Sequence, residues 1–552
     1  MNQNDQQPTF MDGKTIIAIM ITMGVFIGWQ QYLKNKYPDY GKPQAEVSQP
    51  AKSEAATADL KTNPTAAKSN TAEASTASGA EQTAPVAVNT RPDEAIFTFE
   101  DDRLNFEISS YGMGLKGITL KQYKDREGAT KRIQRGKTNL SVYQTFLSGQ
   151  SDPLVFDIQQ VDETTFKGVA NSQGVRVVKT LKVVSDNYTV EQSVSVTGNF
   201  QKFDGLSMAM AKQIEVTDGG SVFMPNFNIQ SFYYQKVDES DEREILTVDT
   251  PLAGEYKQAR VVALSSQYFA LGFLDRSAVY PDVRFSTDID KKVASVFLNY
   301  PKLLGANQFE VKMTGFIGPK SLSILEGIDP QMSGIIDYGF FSLIAKYLFW
   351  CLDFFHSLFG NWGVAIIVLT LIVRLLLMPL NLASFKSMQK MKDINPKIQA
   401  IRDRIKDKNE QGQAIMALYR EEQINPLGGC LPMILQLPIF FALYQVLGQS
   451  IELYQSPFML WIDDLSLKDP YFVLPILMAI TMFFQQKLTP TTVEPAMQKM
   501  MMIMPVFFAF FMMGLPSGLT LYIFISGLFA IVQQGLLLRQ NVSMNQPIGQ
   551  KA

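Results

Sequence analysis

Between residues 361 and 538 the chain is divided into five apolar runs, at 361–382, 431–450, 471–487, 500–515 and 518–538. Runs of this length suit bilayer crossings. Inside hydrocarbon a backbone must satisfy its own hydrogen bonds, so each run is expected to be a helix. A further run, 14–33 (KTIIAIMITMGVFIGWQQYL), precedes them. The residues after Trp29 (QQYLKNKYP) offer no small-x-small cleavage pattern, so an uncleaved anchor is expected, with a cleaved signal peptide as the rival reading. The stretch 335–359 is apolar but striped: Ser342, Lys346, Asp353 and Ser357 share one helical face, and Phe341, Ile344, Leu348 and Phe355 fill the rest. It is expected to lie flat in the membrane interface, with a tilted span as the alternative.

The remaining chain differs in kind. Residues 34–94 include a stretch, 41–92, that is rich in Ala, Thr, Ser and Pro and has no aromatic residue. Such a segment buries too little apolar surface to offset the entropy of ordering, and a disordered linker is expected. Residues 95–320 read as an all-β domain, a large antiparallel sandwich. Val175–Val184 and Tyr188–Val196 are β-branched runs joined by the turn residues Ser185, Asp186 and Asn187, and similar runs recur at Ala294–Tyr300 and Phe309–Ile317. The expected fold class is therefore a polytopic α-helical membrane protein with six transmembrane helices plus this β domain.

Charge sets the orientation. The segment 383–428 carries nine basic residues, from Lys386 to Arg420, whereas the segment after the third span carries Lys468 against Glu452, Asp463, Asp464 and Asp469. Basic loops stay cytoplasmic. The β domain is then extracytoplasmic, the 1–13 and 539–552 ends are cytoplasmic, and a domain of that size beyond an inner membrane points to a periplasm. The basic segment itself reads as a helical hairpin: Met388, Met391, Ile394, Ile398, Ile401 and Ile405 recur at helical spacing, Asn409–Gly412 breaks the pattern, and Ala414, Leu418 and Tyr419 resume it. Net charge is −2, which gives no field for nucleic acid. Two cysteines and one histidine, His356, leave no zinc or disulfide pattern, and no cofactor or metal is expected.

The informative residue is Arg374, inside WGVAIIVLTLIVRLLLMPLNL. A charge near the bilayer centre costs about 2.5–3.5 kcal/mol on insertion scales. The apolar cores of the runs contain no Asp or Glu, so water is the expected solvent. At ~1.5 Å per residue, Arg374 lies roughly 12 Å from the end of its run near Leu382. Thr370 and Asn381 share its helical face, and Gln436, Gln485 and Gln533 occupy the cytoplasmic halves of their runs, although Gln445 does not. Together they predict a wet cavity open to the cytoplasm; the alternative is a snorkelling arginine. The fifth span, MQKMMMIMPVFFAFFMMG from Met497, reads equally as an adaptable binding surface and as ordinary lipid-facing helix. It and the fourth are short, roughly 24–26 Å, which favours local bilayer thinning.

Gly360–Pro379 (GNWGVAIIVLTLIVRLLLMP), Asn395–Ala400 (NPKIQA), Asn425–Tyr444 (NPLGGCLPMILQLPIFFALY), Trp461–Leu465 (WIDDL), Thr489–Val493 (TPTTV) and Pro516–Tyr522 (PSGLTLY) stand in an order that resembles the YidC/Oxa/Alb family across nearly the whole chain. The resemblance implies a membrane insertase and chaperone with a five-helix core and a periplasmic β-supersandwich. It implies a client groove in which Arg374 acts with Thr370, Asn381, Gln436, Gln485, Tyr522 and Gln533, beside an apolar slide of Leu437, Phe440, Met504 and Phe508. Nascent membrane proteins are the implied clients. The Sec translocon with its accessory proteins, the ribosome, the signal recognition particle and membrane lipids are the implied partners. Relatives often have two adjacent tyrosines where this chain has Tyr522 and Ile523, and the tail after Arg539 is short and nearly uncharged, unlike a strong ribosome-binding tail. A supersandwich is related in fold to sugar mutarotases, but residues 95–320 lack the histidine such chemistry needs. A transporter with a periplasmic binding domain is the other rival; it would normally carry carboxylates inside its spans.

Overall fold

The computed structural model describes residues 93–544, apart from 126–127, 134–140, 201–203, 216–227, 239, 248, 302–307, 425–430 and 490–494. The expected anchor at 14–33, the N-terminal residues 1–13, all but the last two residues of the 34–94 linker, and the tail beyond residue 544 lie outside the described residues.

Residues 96–319 form three antiparallel sheets. The largest runs in spatial order Asp241–Leu246, Gln230–Lys236, Ala259–Ser265, Phe269–Asp275, Gln308–Pro319, Thr189–Gly198, Val175–Val184, Thr165–Ser172 and Asp157–Gln160. A five-stranded sheet packs on it, with Gly205–Gln213 and Val293–Pro301 paired at its centre. A four-stranded sheet of Ile96–Glu100, Leu104–Ser109, Gly114–Lys124 and Thr130–Arg132 completes the domain. The alternation that marks a half-buried strand is visible in Val175–Val184, where Val175, Val177, Lys179, Leu181 and Val183 point inward. The lysine in that row is fully buried, and its Nζ donates to the carbonyls of Gly112, Met113 and Tyr143 and to Thr145 Oγ1, at 2.6–3.3 Å.

The rest is helical: α1 (Leu322–Ile328), α2 (Ser342–Phe359), α3 (Trp362–Leu376), α4 (Met378–Asp393), α5 (Asn395–Arg404), α6 (Lys408–Glu421), α7 (Leu431–Gln449), α8 (Val473–Leu488), α9 (Pro495–Met512) and α10 (Ser517–Met544). Helix α2 buries Ala345, Leu348, Phe349 and Leu352 and leaves Leu343, Tyr347, Trp350, Phe354 and Leu358 exposed in a second, apolar stripe. The turn from α2 to α3 uses Gly360 in the left-handed region, and Asn361 caps α3 by accepting from Val364 N. Gly363 is required by packing, because a Cβ there would stand 2.0 Å from the Phe458 ring.

The second expected span does not run straight to Leu382. It ends at Leu376 and the chain bends by 57° into α4. The cause is Pro379, which lacks an N–H for the carbonyl of Leu375 and whose ring clashes with a continuing helix. Among the described residues, Ser517–Arg539 is long and apolar enough to cross a membrane alone; α3 with α4 passes only as a bent pair, and Val473–Leu488 and Met502–Met512 are apolar but shorter.

The hairpin break also moves. Residues 409–412 are helical, and the interruption falls at 405–407, because the Asp407 carboxylate accepts from Asn409 N and Glu410 N and so starts α6. The two helices close over Ile394, Ile398, Leu418 and Ile424, with Met391, Ile401 and Tyr419 against them.

The β domain docks onto the end of α7 and the segment after it. Gln267 Nε2 donates to the Gly448 carbonyl at 2.8 Å, Lys320 Nζ to Gln449 Oε1 at 3.4 Å, and Gln455 pairs with both backbone groups of Lys124. Tyr123, Tyr268 and Phe269 pack their rings around Tyr454. Glu452 lies in this junction with the Ser321 hydroxyl as donor, and burial pushes its carboxyl up to about 7.

Candidate functional site

A cavity of about 520 Å³ opens between α3, α4, α7, α8, α9 and α10. Arg374 reaches it from the last turn of α3, where a cation is favoured by the partial negative charge of the helix end. The bend two residues later is what turns an intramembrane arginine into a helix-terminal one. Asn381, Ser384 and Phe385 enter from α4, Gln436, Leu437 and Phe440 from α7, Gln485 from α8 and Phe508 from α9. Tyr522, Ser526 and Gln533 come from one face of α10.

The polar lining is only partly satisfied from within. Gln436 Nε2 donates to the Tyr522 hydroxyl at 2.7 Å. Arg374 Nε, Ser526 Oγ, Gln533 Nε2 and Gln534 Oε1 are buried and have no protein hydrogen-bond partner among the described residues. No carboxylate pairs with Arg374 among the described residues. Buried polar groups are almost always paired with protein or water, so a cluster of unpaired ones marks a place that solvent or a ligand occupies. One end of the cavity is sealed. Ser517, Leu519, Thr520 and Leu521 at the start of α10 are at most 2% exposed, and Gly518 lies against Leu465 and Ile366. Further along α10, Val532 and Leu536 are exposed.

Of the groove residues expected from sequence, Arg374, Asn381, Gln436, Gln485, Tyr522 and Gln533 meet in this cavity, and Thr370 does not. Thr370 is buried in the helix packing one turn before the arginine, and its hydroxyl donates back to the Ile366 carbonyl at 2.6 Å. Of the apolar slide, Leu437, Phe440 and Phe508 line the cavity, whereas Met504 is on the outer surface of α9 beside exposed Ile503 and Phe507. Ser384, Ser526, Gln534 and Thr489 line it without having been expected. The glutamine and threonine were open to the same reasoning that picked Gln485 and Gln533. The serines carry little signal, since a serine in a helix commonly bonds its own backbone.

Residues 354–545 match the family profile described as the 60Kd inner membrane protein, and residues 97–351 match the YidC periplasmic domain. The membrane protein insertase YidC of Burkholderia multivorans is 32% identical over 497 residues, 83% of this chain and 86% of the relative. The chain belongs to the YidC family of membrane protein insertases. The YidC insertase of Stutzerimonas stutzeri is 31% identical over 91% of this chain and 94% of its own length. Among solved structures, an active YidC insertase with its first transmembrane domain resolved matches at 21% identity and a TM-score of 0.37, covering 81% of this chain and 93% of that chain. A galactose mutarotase-like protein from Lactobacillus casei covers 40% of this chain and all of its own, at 13% identity and a TM-score of 0.28. YidC family members are inner membrane proteins, and this chain has the periplasmic β-rich domain followed by the helical region. Their activity is insertion, not catalysis on a small substrate.

Proposed function

We propose that this chain inserts nascent membrane proteins into the inner membrane through the cavity around Arg374. The carrying observation is the half-buried Arg374, with a buried, unpaired Nε and no carboxylate partner among the described residues, facing a lining of neutral polar groups. A positive charge in a low-dielectric recess attracts anionic groups more strongly than the same charge at a surface. An acidic or polar segment of a client is drawn to Arg374, partway across the bilayer, while the client's apolar segment moves past Leu437, Phe440 and Phe508 into lipid. Short helices α8 and α9 thin the bilayer locally and reduce the distance still to be crossed.

In this reading six helices span the membrane: the 14–33 anchor, bent α3–α4, α7, α8, α9 and α10, the last five forming the insertase core. Both termini and the α5–α6 hairpin are cytoplasmic, the β domain is periplasmic, and α2 lies in the interface with its exposed aromatic stripe in lipid. Charge asymmetry between 383–428 and 451–470 supports this orientation. Clients arrive from the ribosome and the signal recognition particle, alone or by way of the Sec translocon and its accessory proteins.

The test is insertion of one client with an acidic translocated segment, and of its neutralised variant, through wild type, Arg374→Lys and Arg374→Ala. Lys is expected to retain much of the activity, since a point charge suffices. Ala is expected to fail on the acidic client and to improve when the client's acids are removed. Equal insertion of the acidic client by the Lys and Ala forms overturns a charge role for Arg374.

A further inference from the structure

Arg374 accounts for one end of the cavity. The other end is lined by carboxamides. Gln533 stands eleven residues beyond Tyr522 on α10, roughly 16 Å along the helix axis at ~1.5 Å per residue. Its Nε2 is buried without an acceptor, and the neighbouring Gln534 Oε1 is buried without a donor, among the described residues. Gln534 is held from its other side, its Nε2 donating to Thr489 Oγ1 at 3.4 Å. Gln485 faces them from α8, beside a notch at Gly527 where an added Cβ would come 3.1 Å from Thr481 Oγ1 and 4.0 Å from Gln485 Oε1. All three glutamines line the cavity, and Arg374 is its single charged lining residue among those described.

An ion has nothing to choose at this end. A carboxamide, whichever way it is turned, offers one donor side and one acceptor side and no net charge, the same set as a peptide bond. Leaving such a group unpaired and buried costs about 1–3 kcal/mol. A client segment entering an apolar medium has the complementary problem. Unless it is helical, its own backbone N–H and C=O groups are unpaired, at several kcal/mol each. A free donor on one residue and a free acceptor on the next are the two kinds of partner that a peptide unit requires.

Resting on the reading above, we propose that Gln485, Gln533 and Gln534 form a second, uncharged station that pairs with main-chain peptide groups of a non-helical client segment before that segment reaches Arg374. The station selects by backbone state and Arg374 by charge, so the two are separable.

The experiment uses the full-length protein in proteoliposomes and four versions of one client. Its translocated segment is acidic or neutral, and Gly/Ser-rich or Ala-rich and helix-forming, at equal length. Gln485→Leu/Gln533→Leu is expected to reduce insertion of the Gly/Ser-rich segments about tenfold more than that of the Ala-rich ones, whatever their charge. Arg374→Ala is expected to separate acidic from neutral clients, whatever their backbone. A glutamine variant that separates clients by charge, or affects all four alike, overturns the uncharged station and leaves the arginine reading standing. An arginine variant that does not separate them by charge overturns that reading even where the glutamine result holds. A second measurement keeps the wild-type protein and replaces amides in the Gly/Ser-rich segment by esters, which removes N–H donors. Insertion is expected to fall several-fold, and the difference to vanish in Gln534→Leu, which removes the free acceptor. Esters that insert as well as amides in the wild type overturn the proposal.

Discussion

The β domain and the helical core each bury a cation without a carboxylate partner, and they treat it in opposite ways. Lys179 is fully enclosed in the sandwich, where three carbonyls and a hydroxyl surround its ammonium. Burial holds that ammonium well below the usual lysine range. Every donor is used, so the site is complete and can take nothing more. Arg374 faces a cavity with its Nε unpaired, next to a hydroxyl and carboxamides that are also incompletely bonded. A buried charge whose donors are all used fixes a fold, and one with donors to spare can bind something that comes and goes.

The largest effect expected from that contrast is on the lysine. Lys179→Met should leave the Met113 and Tyr143 carbonyls short of a donor and destabilise the β domain by about 3 kcal/mol. Thermal or urea unfolding of the purified protein measures it, and an unchanged midpoint would break the comparison. Arg374→Ala should do the reverse. Its unfolding midpoint should stay close to wild type, while insertion of an acidic client falls about tenfold, equivalent to roughly 1.4 kcal/mol. A stability loss matching that of Lys179→Met would make Arg374 a structural residue after all.

Tyr522→Phe sharpens the boundary between the two kinds of site. It removes the acceptor for Gln436, a bond worth about 1 kcal/mol, and should lower insertion a few-fold with a small change in stability. Gln436→Leu should give the same loss, and the double variant no more than either alone if the two act as one unit.

An effect of pH, rather than of a lost contact, is expected where the regions join. Burial raises the Glu452 carboxyl from 4.5 to about 7, so the docked state favours the protonated form. That contribution to stability is fully present below pH 4.5 and is lost as pH rises through about 7. Glu452→Gln should flatten the decline in thermal midpoint over this window and stabilise the junction above it. An identical pH profile in the variant would show that Glu452 does not sense the docking.

Much of this was legible in the residues. The hairpin of Val175–Val184 and Thr189–Gly198 follows from β-branched alternation around turn chemistry, because strand periodicity is a local property. Arg374 without an intramembrane acid needed only a search of the apolar runs. The glutamines at 436, 485 and 533 were identifiable because a carboxamide in an apolar run is rare. What failed was what depends on neighbours. Thr370 and Met504 sit at helical positions that suggested the cavity, yet one is packed between helices and the other faces outward. A helical wheel gives relative angles and no rotation of the helix against the others. The inward lysine at 179 reads in the sequence as an ordinary charged residue in a β-rich segment, and only the enclosing carbonyls reveal its role.

By itself the sequence determined the two classes of architecture, the family motifs and the presence of a cation that the helical segments cannot neutralise, because hydrophobic period and composition are carried residue by residue. The tertiary structure decided the sealing of the cavity at the start of α10, the docking of the β domain on Gly448–Gln455 and the gathering of unpaired amides around Gln533. These depend on which side chains from distant segments meet, and whether a buried polar group is satisfied is a property of that meeting.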